Sequence, residues 1–193
     1  GAMSFVTGFM DTPGAMKALL HHCAQVRQEV LRQLQARIPA WHGTHAAGGY
    51  PSKIWSRRTA AYYQEDSAAL LSPTLFKKFL LAPARKLCTT TQNNFIHLHS
   101  ACLYPIEALL KESYFDVLEI NVDHEGVAPS LAELLPTLKK IQCARRPLLL
   151  WGHFARMDLQ RIRRELTADG LSLQPIVANP GEAGELRKVW KAP

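Results

Sequence analysis

From Asp116 to Asp123 the chain alternates strictly. Leu118, Ile120 and Val122 fall on one side, and Glu119, Asn121 and Asp123 on the other. A period of two marks a strand with one apolar and one polar face. The stretch from Asn94 to Cys102 follows the same rule: Ile96 and Leu98 take one face, His97 and His99 the other. Three more strands are expected, at 59–66, 147–151 and 171–177, the last weakened by Pro175.

Helical periodicity fills the gaps between these strands. Asp11-Thr12-Pro13 opens a helix that runs to about Arg37, with Pro39 ending it. Ser72-Pro73 opens another, carrying Leu75, Phe76, Phe79 and Leu80, which Pro83 kinks or restarts. Helices are further expected at 105–111, 158–167 and 180–190, with Gly170 as the C-terminal cap of the second. Ser130 and Glu133 spell a capping box, and Pro136 is expected to delay the regular helix to 136–143. Residues 40–53 read as a long loop holding Trp41, His42 and His45. One helix followed by five strand–helix units implies an α/β protein with a parallel sheet and helices packed outside.

Composition narrows this only a little. The 193 residues suit one domain and fall short of the roughly 250 typical of a closed barrel of eight strands. A 47% hydrophobic and 20% charged composition is that of a soluble globular chain. No apolar run approaches a membrane span, and no signal peptide is expected. Gly1-Ala2 reads as a tag scar, so the domain is taken as 3–193. Cys23, Cys88, Cys102 and Cys143 are widely spaced, as expected of reduced thiols in a cytoplasmic protein. The net charge of +7 comes from small basic groups on predicted helix faces, without the aromatic interleaving of a nucleic-acid stripe. Neither nucleic acid nor membrane is expected as a partner; a small-molecule ligand, an anionic one included, is compatible with the charge.

Candidate chemistry gathers at strand ends. In a barrel-like sheet the outer strand faces meet the helices, so polar residues on the inner face near strand C-termini are site candidates. Here they are Glu65, Asp66 and Ser67; His97 and His99; Glu119, Asn121 and Asp123; and His153. His97 and His99, with Cys102 and an acidic partner, have the donor chemistry of a zinc site, and equally of satisfied core histidines. Cys102 beside a histidine also has the chemistry of a nucleophile, although no oxyanion motif accompanies it.

Two longer stretches carry a resemblance. The segment QEDSAALLSPTLFKKF, residues 64–79, resembles the "D-S…LSP-x-x-F-x-x-F" segment of uroporphyrinogen decarboxylase-like proteins. HLHSACLYPIEALLKESYFDVLEINVD, residues 97–123, is similar to that family's following strand, helix and strand. The resemblance spans about 55–190. It implies the C-terminal part of a (β/α)8 barrel, a partial TIM-like barrel of about five parallel strands. It also implies a decarboxylase-like or zinc-dependent methyltransferase-like site. Asp66 and Ser67 then match the substrate segment, and His99 matches the histidine of an H-x-C metal motif whose cysteine position is held by Ala101, with Cys102 one residue later. The strands that supply the decarboxylases' substrate-binding Arg and essential Asp have no counterpart here. The expectation is a site with Asp66, His97, His99 and Glu119 at the chemistry, and Ser67, Asn121, Asp123 and His153 around the substrate. Its metal ligands would be His99 and Cys102. The alternative is a non-catalytic half-barrel that serves binding or oligomerisation. Five strands are too few to close a barrel. An exposed inner face, two unpaired edges and a homodimer that buries them are therefore expected.

Overall fold

The computed structural model describes residues 2–38, 45–47, 54–64, 66–124 and 126–191. Five strands build its main sheet: β3 (Ala60–Gln64), β4 (Asn93–His99), β5 (Val117–Val122), β6 (Leu148–Gly152) and β7 (Leu171–Pro175). All neighbours are parallel and lie side by side in chain order. Each connection therefore steps to the adjacent strand, as in a barrel, but β3 and β7 end as two edges and the sheet stays open.

The helices α3 (Pro73–Phe79), α4 (Leu81–Leu87), α5 (Ile106–Lys111), α6 (Leu131–Cys143) and α7 (Arg156–Glu165) link these strands, and α8 (Pro180–Lys191) follows the last. Their apolar faces meet one face of the sheet. Ile96, Leu98, Leu118, Ile120, Leu148 and Leu150 join Phe76, Phe79, Leu109, Leu138, Ile141 and Ile162 in a single core. Each such side chain removed from water contributes about 1.5–3 kcal/mol. At the far end of β6, Gly152 sits at φ +150, where a Cβ would lie 2.6 Å from the Val122 carbonyl oxygen. Only glycine lets β6 end this close to β5.

Several sequence expectations change. Pro136 lies inside α6, which starts at Leu131. The capping box, with Ser130 N–H donating to Glu133 Oε2 at 2.8 Å, nucleates the helix ahead of it, and the proline forgoes only one ladder bond. The break near Pro83 falls instead at Leu80, which ends α3 and precedes α4. Pro83 then stands in the first turn of α4, where its N–H would have no partner anyway. α7 ends in an extended Leu166, so Gly170 caps no helix. Its positive φ turns the chain into β7 instead. The 40–53 stretch is not loop throughout: β1 (His45–Ala47) pairs antiparallel with β2 (Ile54–Ser56). Trp41 and His42 lie outside the described residues. α1 (Ala2–Asp11) was not expected; Phe5 and Phe9, one helical turn apart, anchor it on Phe79.

α2 (Pro13–Arg37) matches its expected span. It packs against α4 at the β3 edge, where Arg27 Nη2 donates to the Tyr62 carbonyl at 2.9 Å and Gln28 to the Lys86 carbonyl at 2.6 Å. Leu19, Val26, Val30 and Leu34 remain exposed along it. The other edge is blunted by its own sequence. Gly170 O accepts from Leu148 N and Ile176 N donates to Gly152 O, so even-numbered residues of β7 bond β6 and odd-numbered ones face outward. Of these, Leu171 N–H is taken by Ala168 O, and Pro175 has none. Leu173 alone in the strand turns an N–H to the open edge, a poor template for pairing.

The inner face is not the exposed surface expected. Glu119 and Leu149 are fully buried, and His97 is 2% exposed. The strands curl enough for Tyr62, His97 and Trp151 to form a row of rings, with centroids 5.9 and 5.8 Å apart. That row bridges β3, β4 and β6 across the strand that carries Glu119.

Candidate metal centre

Strand register brings the polar residues together. His97 lies opposite Glu119, and His99 opposite Asn121. Gln64 lies opposite His97 on the other side. Because alternate residues share a face, the period-two spacing delivers two imidazoles and their acidic partners to one side of the sheet.

Each imidazole is backed by a carboxylate. His97 Nδ1 lies 2.7 Å from Glu119 Oε1, and His99 Nδ1 lies 2.7 Å from Asp123 Oδ1. Where each Nδ1 donates to an ionised carboxylate and the imidazole is neutral, Nε2 presents a lone pair; Asn121 Nδ2, 3.3 Å from His99 Nδ1, competes for that atom. Those two Nε2 atoms face one another at 3.3 Å. Two lone pairs at that distance repel unless a proton or a cation lies between them.

Asp66 completes the group. It opens a 3-10 turn (Asp66–Leu70) directly after β3. Gln64 Nε2 donates to its Oδ2 at 2.5 Å, which leaves Oδ1 facing His99 Nε2 at 3.6 Å. Ligand atoms of Asp66, His97 and His99 all lie within 4.8 Å of one another, so the three can hold a metal ion. Two zinc–nitrogen bonds of about 2.05 Å at the tetrahedral angle place their nitrogens about 3.3 Å apart. The observed Nε2 separation matches that distance.

A second ring of contacts fixes the ligands, as metal sites require. Tyr62 Oη donates to Glu119 Oε1 at 2.9 Å. Asp123 accepts from Ser100 Oγ at 3.2 Å, the Ala101 amide at 3.1 Å and Asn121 Nδ2 at 3.1 Å. Burial pushes the Asp123 carboxyl up, but the bonds from His99, Ala101 and Ser100 outweigh it and hold the group below the usual carboxylate range. Burial, then the charge of Glu119 and the hydrogen bond to it, holds the Tyr62 phenol far above its usual range, so it stays a donor. Glu119 Oε2 and Trp151 Nε1 are buried without a protein partner among the described residues.

Asp66, His97, His99 and Glu119 thus converge, with Asn121 and Asp123 beside them. Cys102 stands outside the ligand group. β4 ends at His99, and a turn closed by Cys102 N donating to His99 O carries the thiol off the strand face. Burial raises its pKa, which disfavours the thiolate that a nucleophile or metal ligand needs. None of the four cysteines forms a disulfide among the described residues. His153, exposed, stacks on His124 with centroids 5.1 Å apart, in the loops beyond β5 and β6. Glu65 and the side chain of Ser67 lie outside the described residues. Tyr62 and Gln64 escaped the sequence reading. Their phase in β3, two residues apart and in register with β4, was the available signal.

A cleft of about 200 Å³ opens beside the group. Asp66, His99 and Asp123 form its polar end, and Ala68, Leu98 and Cys102 are among its walls. Among the described residues no helix is long and apolar enough to cross a membrane. No family model, curated protein or solved structure matches the chain. Fold and site together therefore define an open α/β sheet with a two-histidine, one-carboxylate group at its C-terminal strand ends.

Proposed function

We propose that this chain is a uroporphyrinogen decarboxylase-like protein that transforms a small molecule at a zinc centre held by Asp66, His97 and His99. The observation that carries the reading is the pair of Nε2 atoms 3.3 Å apart with Asp66 beside them, while each Nδ1 is backed by a carboxylate. Three protein ligands leave one tetrahedral position for substrate, the pattern of catalytic rather than structural zinc. The bound ion would supply Lewis acidity, polarising a substrate oxygen. The chain's own residues do the rest. Glu119 and Asp123 fix the tautomer and aim of the two imidazoles, Tyr62 steadies Glu119, and Gln64 turns Asp66 toward His99.

The cleft, at about 200 Å³, would hold only part of a tetrapyrrole, since sites for merely drug-sized ligands run to about 300–1,000 Å³. A methyl-transfer type of chemistry on a small substrate therefore fits better than porphyrinogen decarboxylation. The test is metal content. Protein purified without chelator and dialysed against zinc should hold one equivalent, and His97→Ala and His99→Ala should each lose it while keeping their circular dichroism. Wild-type protein that retains no zinc would sink the proposal.

A further inference from the structure

We propose that the cleft beside Asp66 and His99 admits a small, uncharged, apolar-bodied ligand that reaches the metal with a polar head, and that it rejects anions. This rests on the zinc reading above and names the ligand class of that site. Two features of the cleft decide it.

The first is size. At about 200 Å³ the cleft lies below the range of about 300–1,000 Å³ for drug-sized ligand sites, so it takes a small molecule. Its walls away from the histidine are methyl and methylene groups and one thiol, from Ala68, Ala69, Leu98, Ala101, Cys102 and Val127. Apart from the weak donor of the Cys102 thiol, no described side chain on these walls donates a hydrogen bond.

The second is charge. Asp66, Glu119 and Asp123 place three carboxylates around one ion. Against a divalent cation they leave one negative charge in excess. Among the described residues no lysine or arginine lines the cleft to offset it, although the chain as a whole carries a net charge of +7. An added carboxylate, sulfonate or phosphate would meet like charge in a partly dehydrated pocket. A neutral head group meets none.

The experiment uses the full chain loaded with cobalt(II), whose visible spectrum reports tetrahedral coordination, and three primary carboxamides as probes, whose heads coordinate without losing a proton. Butanamide is small and neutral, succinamic acid adds a carboxylate, and 2-naphthamide is bulky. The expected result is a spectral shift with the butyl probe, with binding of the succinic probe weaker by about tenfold or more and no response to the naphthyl probe. Cys102→Phe should abolish the butyl response by filling the cleft, and leave the cobalt spectrum itself in place. Equal or tighter binding of the succinic probe, or of the naphthyl probe, in a protein that shows tetrahedral cobalt would overturn this inference and leave the metal centre standing. Absence of a tetrahedral cobalt spectrum would overturn the metal centre and this inference with it.

Discussion

Ile120 and Glu119 are neighbours in β5 and both are fully buried, yet they are buried by opposite means. Ile120 and its equivalents Ile96, Leu118 and Leu150 face the helices, where stability comes from apolar area and close packing. Glu119 faces the other way, beside His97 and Tyr62, where burial costs free energy that hydrogen bonds must offset. A buried charged pair is poor evidence for stability, because an apolar pair of the same shape often serves the fold as well. The helix-facing side of the sheet therefore holds the protein together. The inner side spends stability on an arrangement that the fold does not require.

The largest expected effect separates these two roles directly. Ile120→Ala should destabilise the protein by about 2–5 kcal/mol in urea unfolding, since it opens a cavity in a packed core. Zinc affinity of the folded fraction should stay within about twofold, because no metal ligand touches that face. A large loss of metal with intact stability would erase the distinction between the two faces.

Glu119→Gln reverses the pattern. It keeps the shape but removes the carboxylate that holds His97 Nδ1, and such outer partners are worth about 10–100-fold in metal affinity. Isothermal titration with zinc should show that loss. Asp123→Asn should show a smaller one, since Asp123 is more exposed and also held by Ser100 and the Ala101 amide. If Glu119→Gln unfolded the protein but bound zinc normally, the inner face would be polar core and nothing more.

The sequence displayed this division wherever period two governs. Strand alternation at 94–99 and 116–123 put His97, His99, Glu119, Asn121 and Asp123 on one face, and the register did the rest. Asp66 was legible as a polar strand end, and it reaches the histidines because a 3-10 turn follows β3 at once. Cys102 misled because its donor chemistry and its place one residue beyond an H-x-C motif suggest a ligand, whereas the strand stops at His99 and the chain turns. The burial of the inner face was not legible. It depends on Trp151 of β6 reaching His97 of β4, a contact between strands that are not neighbours and that no local pattern encodes. Pro136 misled for a local reason, since a proline near a helix start costs little when a capping box has already nucleated the first turn.

The finest comparison is between two consecutive tyrosines. Tyr62 donates to Glu119 on the inner face, and Tyr63 donates to the Leu87 carbonyl at 3.1 Å on the helix side. Each hydrogen bond is worth about 1 kcal/mol, so each Tyr→Phe change should cost about that much stability. Only Tyr62→Phe should touch the metal, and by less than about tenfold, because Glu119 Oε1 keeps its bond to His97 Nδ1. Tyr63→Phe should instead alter the response to alkali. Burial first, and the neighbouring Cys88 second, push the Tyr63 phenol up to about 12. An unfolded chain releases that proton near pH 10. The folded state holds it more tightly, so the stability it contributes is complete below about pH 10 and is lost as pH rises through about 12. Urea unfolding of wild type and Tyr63→Phe from pH 8 to 11.5 should show the gap between them narrowing above pH 10. A gap that stays constant would mean that Tyr63 titrates as freely in the fold as out of it, and its burial on the helix side would then carry none of the weight assigned to it.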